Sequence, residues 1–305
     1  MEYLETLSEV LRTPPLVGEP LSRHTSLGIG GAADCLVFPQ DTEELRAVLL
    51  FAREHHIPLL VLGHGTNLLV LDEGFRGIAI SLIRACSHCH FVDERVIAGS
   101  SVALPWLAKE IARRGLSGLE FAAGIPGTLG GALYMNAGAF GYYTGDLVQA
   151  VASMDREGNL TTRSRSELNF SYRWSNFQDE SVIILEATLA LQPGDREKIE
   201  EMQGQMLHER VARHPRQPSA GSVFRNPPEK GAGYLIEQAG LKGMSVGGAQ
   251  ISPMHGNFIV NNGNATAADM LELIEIAKKS VKQKFGIELQ LEIRVVGGNR
   301  EIGER

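Results

Sequence analysis

Two glycine-rich segments constrain what this chain can fold into more than any other feature of its sequence. The first spans residues 63–67 (GHGTN), and the second spans residues 124–131 (GIPGTLGG) and continues to Gly138. Bare backbone N–H groups bind anions, and glycine lets a phosphate approach the backbone closely. The second segment is longer than a β-turn and carries few charges, which favours a flat, partly apolar cofactor with a diphosphate over a metal ion. Tight packing of bends in a twisted sheet would explain the same glycines, so spacing alone leaves both interpretations open.

Composition excludes several classes of function. The chain has 305 residues, with 36 acidic against 29 basic side chains and a net charge of −7. This length predicts about two domains, and the negative charge argues against a nucleic-acid partner. No apolar run is long enough to span a membrane, and the acidic N-terminal residues differ from a signal peptide. The three cysteines are an odd number and make no disulfide framework, so we expect a protein of the reducing cytoplasm.

Apolar periodicity and capping residues predict the main helices and strands. Helices are expected at residues 41–57, 103–114 and 267–285, the last between Thr266 and Gly286. Another helix follows the boundary Pro193-Gly194, and its expected buried side consists of Ile199, Met202, Met206 and Val211. The predicted strands are 59–62, 68–71, 148–154 (the first arm of a hairpin), 182–191 and 288–296.

Three short motifs match known sites only in part. Residues 63–68 begin like a dinucleotide-binding fingerprint but lack its third glycine. Residues 243–247 have the spacing of a hydrolase nucleophile elbow without the helix that must follow it. Residues 86–90 (CSHCH) match a c-type haem attachment site or half of a zinc site, but no second ligand pair follows. We expect a solvent-exposed turn with free thiols there, and no metal site.

Seven motifs occur along the chain from about residue 20 to residue 298. They are residues 24–31 (HTSLGIGG), 63–70 (GHGTNLLV), 124–131 with 135–138 (GIPGTLGG, MNAG), 172–175 (YRWS), 220–224 (AGSVF), 255–260 (HGNFIV) and 291–294 (LEIR). In this order they resemble the UDP-N-acetylenolpyruvoylglucosamine reductases, and the chain is similar to the shorter of the two family types.

The resemblance implies an α+β protein in which a two-subdomain FAD-binding fold of the vanillyl-alcohol-oxidase/PCMH type precedes a C-terminal α+β substrate-binding domain. On this sequence, FAD-binding subdomain 1 is expected at residues 1–81, with the C-terminal strand as a candidate to return to it. Subdomain 2 is expected at residues 82–193, and the substrate-binding domain at residues 194–305.

The resemblance also implies a reaction of peptidoglycan precursor synthesis. Hydride passes from NADPH to FAD and then to the enolpyruvyl ether of a UDP-sugar, giving UDP-N-acetylmuramate. We expect non-covalent FAD, although a histidine can carry the flavin covalently in the wider fold and His64 lies between two glycines. We also expect a monomer. The implied cofactor-binding residues are Gly63, His64, Gly65, Thr66, Asn67, Leu68, Gly124, Ile125, Pro126, Gly127, Thr128, Gly130, Gly131, Asn136 and Gly138.

Three residues are implied to be catalytic. Hydride addition to an enol ether carboxylate produces a dianionic enolate, which needs cationic stabilisation and a proton source. Arg173 fits the first need, because a guanidinium grips a carboxylate through two parallel hydrogen bonds. Ser222 fits the second need, because so basic an acceptor makes a serine a credible acid. Glu292 can help only if it is protonated or orients another donor. In isolation these would be a surface arginine, a turn serine and a solvent-facing strand residue.

A basic run at residues 208–216 precedes Ser222, and a helix face accounts for part of it. Substrate diphosphate or uridine contacts are expected from Arg225, Lys230 and Asn257. Two other functions stay open. A flavin oxidase of a small alcohol or sugar acid would keep the glycine segments without needing the Ser222 turn. A flavin- or nucleotide-binding regulator would need no chemistry at all.

Overall fold

The computed structural model describes residues 3–298 and 300–302. Its helices are α1 (Tyr3–Val10), α2 (Thr42–Glu54), α3 (Leu104–Arg113), α4 (Leu129–Tyr134), α5 (Arg196–Arg213), α6 (Ala232–Gln238) and α7 (Ala267–Phe285). Its strands are β1 (Leu16–Val17), β2 (Ala33–Val37), β3 (Leu59–Leu62), β4 (Leu68–Ser81), β5 (Cys89–Val92), β6 (Arg95–Gly99), β7 (Leu116–Ser117), β8 (Gly138–Ala139), β9 (Tyr142–Tyr143), β10 (Val148–Asp155), β11 (Leu160–Ser164), β12 (Phe170–Ser171), β13 (Trp174–Ser175), β14 (Val182–Ala190), β15 (Gln192–Pro193), β16 (Ser219–Ser222), β17 (Ser245–Val246), β18 (Ala249–Ile251), β19 (Phe258–Asn261), β20 (Arg294–Gly298) and β21 (Arg300–Ile302).

The chain divides into two compact units and passes between them several times. Unit 1 comprises the described residues up to Pro15 together with Val37–Gly63 and Ile80–Ala212. Unit 2 comprises Leu16–Leu36, His64–Ala79 and the described residues from Arg213 onward. The three ligand-binding divisions expected at residues 1–81, 82–193 and 194–305 stay a prediction, because the units are defined by packing and not by a bound ligand.

Unit 1 is built around an antiparallel sheet with the strand order β11-β10-β14-β6-β5. The hairpin expected after residue 148 is confirmed, since β10 pairs with β11 from Ala150 opposite Ser164 to Met154 opposite Leu160. The apolar sides of α3 and α4 complete one core with this sheet, and Val151, Leu107 and Phe177 are fully buried in it.

Helix α2 begins where the sequence predicts. Asp41, the first residue of the predicted helix, is its N-cap, because its side chain accepts a hydrogen bond from the Glu44 backbone at 2.9 Å. Glu44 does not complete a capping box: its buried carboxylate accepts from the backbone N–H groups of Arg12 and Gln40, at 2.6 and 2.7 Å. The helix therefore anchors the preceding segment of unit 1 as well as its own first turn.

The expected buried side of α5 is wrong. Of the four residues assigned to it, only Ile199 is buried, whereas Met202 and Val211 are 47% and 52% exposed. Met206 is partly buried against the unit 1 core. The spacing of apolar residues predicted one continuous buried stripe, but half of that stripe is exposed to solvent. Within the described residues, no helix has the length and apolarity needed to cross a membrane.

Unit 2 contains two sheets. The first has the order β1-β2-β4-β20-β21, and β20 runs parallel to β4 with Arg294 opposite Leu68. The strand predicted at residues 288–296 is therefore shorter and shifted, because its register is set by β4 and not by its own alternation. The second sheet is antiparallel, with the order β16-β19-β18-β17. Helices α6 and α7 pack with it in the unit 2 core, which includes Met270 and Leu273.

Helix α7 confirms its predicted bounds. Thr266 accepts from the Asp269 backbone at 3.1 Å while the Asp269 carboxylate accepts from the Thr266 backbone at 3.0 Å. This reciprocal capping box satisfies two backbone donors of the first turn. Gly286 ends the helix in the left-handed conformation. A distant residue adds to this capping, because the Asp72 carboxylate of β4 accepts from the Ala267 and Ala268 backbone N–H groups at 2.9 and 3.1 Å.

The segment at residues 86–90, with its cysteines and histidines, is not the exposed turn that we expected. Cys86 is buried, and burial raises the pKa of its thiol to about 11. Cys89 is partly buried on β5, and both thiols are free. In the part of the chain that the structure describes, no three His, Cys, Asp or Glu side chains are arranged to hold a metal ion.

Candidate active site

Gly63, the first residue of the first glycine segment, contacts the second glycine segment inside unit 1. Thr128 is the N-cap of α4, and its buried hydroxyl accepts from the Gly131 backbone at 3.3 Å. A β-carbon added at Gly63 would lie 2.7 Å from that same hydroxyl oxygen. Any side chain at position 63 would therefore displace Thr128, so glycine is required for this close approach. The packing interpretation is confirmed at Gly63, and the ligand interpretation of the glycines stays a prediction.

The first glycine segment continues into unit 2, where it is tied to the Glu292 segment. The Asn67 side-chain amide donates to the backbone oxygen of Glu292 at 3.1 Å, and the Arg294 backbone N–H donates to Asn67 O at 2.9 Å. Ser26 donates its backbone N–H to Gly65 O at 3.2 Å. These bonds fix the loop as an extension of the β4–β20 pair.

The residues predicted to bind the cofactor divide by exposure. Buried members are Gly65, Thr128 and Asn136; exposed or partly exposed members are Gly63, His64, Thr66, Asn67, Leu68, Gly124, Ile125, Pro126, Gly127, Gly130, Gly131 and Gly138. His64 is among the exposed ones, and its predicted contact with the cofactor stays a prediction.

Arg173 lies at the tip of a tight hairpin, residues 170–175, which we call the Arg173 hairpin. Its φ of +54° places a non-glycine residue in the left-handed region, a strained conformation that accumulates at functional sites. The Gln178 amide donates to Arg173 O at 3.1 Å and to Tyr134 O at 2.7 Å, and Ser175 donates to Tyr134 O at 2.7 Å. The hairpin is thus fixed to the last residue of α4, the helix that begins at the second glycine segment.

Asn136 holds the other side of the Arg173 hairpin. Its amide nitrogen donates to Ser171 O at 2.8 Å, and its amide oxygen accepts from the Gly145 backbone at 3.0 Å. The residue is buried and has a φ of +44°. The structure gives Asn136 a role in shaping unit 1, and its predicted cofactor contact stays a prediction.

Ser222 ends strand β16, within a segment of residues 219–225 that we call the Ser222 segment. The register between β16 and β19 shifts between Ser219, opposite Val260, and Ser222, opposite Phe258. The extra residue makes a bulge, and Gly221 within it has a φ of +77°. Bulges re-aim the side chains that follow them, and Ser222 is partly exposed immediately after this one.

Glu292 lies beside the Ser222 segment in unit 2. Its backbone N–H donates to Val223 O at 2.8 Å, and the Arg225 N–H donates to Gln290 O at 2.9 Å. Two of the three predicted catalytic residues therefore lie on paired segments, and Asn67 joins them through its bond to Glu292 O. Glu292 itself is partly exposed, as its position on a short paired segment predicts.

The three predicted substrate contacts differ in environment. Arg225 is partly buried, and its Nε is buried without a hydrogen-bond partner among the described residues. Lys230 is exposed, with its ammonium 5.5 Å from the Tyr234 ring centroid. Asn257 is only 2% exposed, and both atoms of its amide are bonded to the backbone of Phe224. Arg225 has the unsatisfied donor that an anion would complete.

Sequence reasoning missed two residues that support these segments. The Ser26 hydroxyl donates to Ser219 O at 2.7 Å, so one serine ties both the first glycine segment and the Ser222 segment. The motif at residues 24–31, which contains Ser26, could have indicated this role, but the sequence alone assigned no role to that motif. Gln178 holds the Arg173 hairpin but belongs to none of the seven motifs, so no sequence signal pointed to it.

Comparisons with known proteins identify both parts of the chain. Residues 33–164 match the family described as FAD binding domain. Residues 213–296 match the family described as UDP-N-acetylenolpyruvoylglucosamine reductase, C-terminal domain. These two matches and the mixed helices and strands confirm the predicted fold class, an α+β FAD-binding fold followed by a C-terminal domain.

Full-length relatives carry the same name. The UDP-N-acetylenolpyruvoylglucosamine reductase of Heliobacterium modesticaldum is 47% identical, over 92% of this chain and 90% of its own. That of Caldanaerobacter subterraneus is 43% identical over 96% and 98%, and that of Bacillus subtilis is 42% identical over 93% and 95%. A crystal structure of the Thermus caldophilus UDP-N-acetylenolpyruvylglucosamine reductase superposes with a TM-score of 0.78 at 38% identity, covering 91% of this chain and 97% of that one.

The described residues fit a flavin dinucleotide. Gly63 must lack a side chain where it packs against the Thr128 hydroxyl, and a bare glycine backbone of this kind suits a diphosphate. Thr128 lies inside the matched FAD-binding range. The predicted recognition is confirmed, and the oxidase alternative is not favoured. This chain belongs to the UDP-N-acetylenolpyruvoylglucosamine reductase family.

Proposed function

We propose that this chain reduces the enolpyruvyl ether of UDP-N-acetylglucosamine to UDP-N-acetylmuramate, a step of peptidoglycan precursor synthesis, with non-covalent FAD and with NADPH as hydride donor. Family membership over more than nine-tenths of the chain supports the reaction. The observation that carries the proposal to particular residues is the pairing of the Ser222 segment with the Glu292 segment and Asn67 in unit 2.

When bound, FAD supplies the hydride transfer that links NADPH to the vinyl carbon of the substrate. Gly63 and the glycine segment at residues 124–131, all in unit 1, would hold its diphosphate, because bare backbone N–H groups suit that group. His64 is exposed, and we propose that it carries no covalent bond to the flavin. Acid-precipitated protein is therefore expected to release all of its yellow colour.

Arg173 would bind the substrate carboxylate, where negative charge accumulates as the double bond is reduced. A guanidinium stays protonated and offers two parallel donors, and a strained turn presents it in one orientation. Removal of one such stabilising group typically lowers the rate by about 10²–10³. The left-handed conformation of Arg173 is the local structural feature that supports this role.

Ser222 would donate the proton that the substrate receives at C2. The bulge at Gly221 aims the side chain that follows it, and Val223 bonds the backbone of Glu292 directly after. Glu292 would act in its protonated form or by orienting another donor, since a bare carboxylate would repel the enolate. We propose Arg225 and Lys230 as diphosphate contacts, because Arg225 has a buried Nε that lacks a partner among the described residues.

Anaerobic stopped-flow absorbance tests the function in two steps. NADPH is expected to bleach the flavin, and UDP-N-acetylglucosamine enolpyruvate is expected to restore its colour. In Ser222→Ala, bleaching should keep its rate while recolouring slows by about 10²–10⁴, the range of general acid catalysis. Ser245→Ala is the matched control, an exposed serine on β17 of the same sheet.

A colourless purified protein would contradict the flavin assignment, and a flavin that the enolpyruvyl sugar cannot reoxidise would contradict the substrate. Equal slowing of both steps in Ser222→Ala would make Ser222 a structural residue. We also propose a monomer of the cytoplasm, in line with the odd number of free thiols, to be measured by light scattering and cell fractionation.

A further inference from the structure

Asn257 makes an unusual set of contacts directly after Ser222. The Phe224 N–H donates to Asn257 Oδ1 at 2.9 Å, and Asn257 Nδ2 donates to Phe224 O at 2.8 Å. The Val223 N–H donates to the backbone oxygen of Asn257 at 2.8 Å. One residue therefore bonds both backbone groups of Phe224 and one of Val223, the two residues that follow the proposed proton donor.

These contacts take the place of a neighbouring strand where the chain leaves β19 and begins to pair with the Glu292 segment. Ser222 is the last residue of the segment that pairs with β19, whereas Phe224 pairs with Leu291. Between these two pairings the backbone needs other partners, because unpaired buried N–H and C=O groups are costly. The Asn257 side chain imitates a strand backbone and supplies both an acceptor and a donor at this point.

The side chain is unsuited to direct ligand contact. Asn257 is 2% exposed, and its amide oxygen and its amide nitrogen are each bonded to Phe224. This environment differs from that of Lys230, which is exposed. A residue buried in this way acts on a ligand through the backbone that it holds.

Asn257 is in turn held by the ring two residues before it. Its N–H donates to His255 Nδ1 at 3.2 Å, which requires that ring nitrogen to be unprotonated. Burial lowers the pKa of His255, and the nearby Lys242 adds to this effect while Glu237 opposes it. The His214 ring packs edge-on against His255 at 5.7 Å between centroids. The neutral form that accepts the Asn257 N–H is the form that this environment favours.

We propose that Asn257 is the positioning residue of Ser222: it fixes Val223 and Phe224 so that the serine hydroxyl is held beside the Glu292 segment. The proposal rests on the proposed function, because it concerns the step in which Ser222 donates its proton. It replaces the expected uridine or phosphate contact of Asn257 with a role that touches neither substrate nor cofactor.

The test compares Asn257→Ala with Asn261→Ala. Asn261 is also a buried asparagine of unit 2 that bonds three backbone groups, those of Leu27, Gly263 and Ala265. Both variants should lose similar stability. Only Asn257→Ala should slow recolouring of the reduced flavin at saturating UDP-N-acetylglucosamine enolpyruvate, by about tenfold or more. Bleaching by NADPH and the substrate dissociation constant should stay within about threefold of the wild type in both.

Amide hydrogen exchange without substrate gives a second readout. Protection at Val223 and Phe224 should fall in Asn257→Ala and persist in Asn261→Ala. If the alanine variant does not fold, Asn257→Asp replaces it in the test, because the aspartate side chain keeps the shape of asparagine. Its protonated carboxyl can donate to Phe224 O, so its recolouring rate relative to the wild type at the same pH should rise as the pH is lowered.

The outcomes separate this proposal from the function on which it rests. Failure of the wild-type flavin to be reoxidised by the enolpyruvyl sugar overturns both. Normal reoxidation in the wild type and in Asn257→Ala overturns the positioning role alone. A weaker substrate affinity with an unchanged saturating rate also overturns it, because that result identifies a direct ligand contact. Amide protection at Val223 and Phe224 that is unchanged in Asn257→Ala also overturns the positioning role.

Discussion

The Arg173 hairpin of unit 1 and the Ser222 segment of unit 2 solve the same problem in different ways. Each must aim one reactive side chain through an irregular turn. In the hairpin the functional residue itself takes the left-handed conformation, with a φ of +54°. In the Ser222 segment the neighbouring Gly221 takes it, with a φ of +77°, and Ser222 keeps ordinary strand pairing. The left-handed conformation is therefore adopted by the functional residue in unit 1, and in unit 2 by a neighbouring glycine, which adopts it without strain.

The supports of the two segments differ as well. Asn136, Ser175 and Gln178 hold the Arg173 hairpin, and none of these side chains titrates near neutral pH. Asn257 holds the Ser222 segment and depends on the neutral ring of His255. The comparison predicts that replacement of Arg173 lowers activity without lowering stability in unit 1, whereas the support of the Ser222 segment in unit 2 also responds to acid.

The largest effect is expected from Arg173→Gly. Recolouring of the reduced flavin should slow by about 10²–10³ because the carboxylate loses its cation. The free energy of unfolding in urea should change by less than about 1 kcal/mol, since glycine adopts a positive φ without steric cost. Arg173→Lys is the control that keeps the charge and the strain but loses the planar fork. Full activity in Arg173→Lys, or a large loss of stability in Arg173→Gly, would contradict the unit 1 half of the comparison.

Asn136→Ala should have the next largest effect. The variant loses two buried hydrogen bonds and puts alanine at a positive φ, so its free energy of unfolding in urea should fall by about 3 kcal/mol. Recolouring should slow as the Arg173 hairpin loosens. Asn159→Ala, at an exposed turn of the same unit, should change neither quantity. Loss of flavin with stability retained would instead assign Asn136 to cofactor binding.

Gly221→Ala should have a smaller effect, set by conformation alone. No atom lies within 4 Å of an added β-carbon at Gly221, so the variant should lose about 1–2 kcal/mol through its positive φ. Gly240 has a similar φ, +79°, and equally open surroundings, so Gly240→Ala should lose the same stability. Only Gly221→Ala should also slow recolouring. Equal activity in the two variants would show that the bulge does not aim Ser222.

The smallest effect concerns pH. Burial lowers the pKa of His255 in the folded chain, whereas the unfolded chain binds the proton near the ordinary value of about 6.5. The stabilisation from neutral His255 is therefore complete above about pH 6.5 and is lost as the pH falls through that value toward the folded pKa. Urea unfolding at a series of pH values should show this decline in the wild type and a weaker one in His255→Gln. Identical profiles would remove the acid sensitivity assigned to unit 2.

Sequence predicted well wherever structure is fixed locally. Helix α7 has its expected bounds because the capping residues Thr266, Asp269 and Gly286 lie next to its ends in the sequence, although the distant Asp72 also accepts hydrogen bonds from its first turn. The last strand was misplaced because its register depends on β4, far away in sequence. The buried side of α5 was wrong because a stripe of apolar residues does not say what covers it. The motifs marked Asn136 and Asn257 as candidate site residues, but a motif does not show that the amide oxygen and the amide nitrogen of each are bonded to backbone.

The interleaved order of the two units has a consequence for synthesis on the ribosome. All of unit 1 has emerged once Ala212 has been made, and it can fold then. Unit 2 must wait, because its first segments emerge early while Arg213 and everything after it emerge last. Until β20 is made, the fourteen-residue strand β4 lacks its parallel neighbour. A long nascent strand with an open edge is a target for misassociation, so the speed of translation through the last third of the message should govern the yield of folded protein.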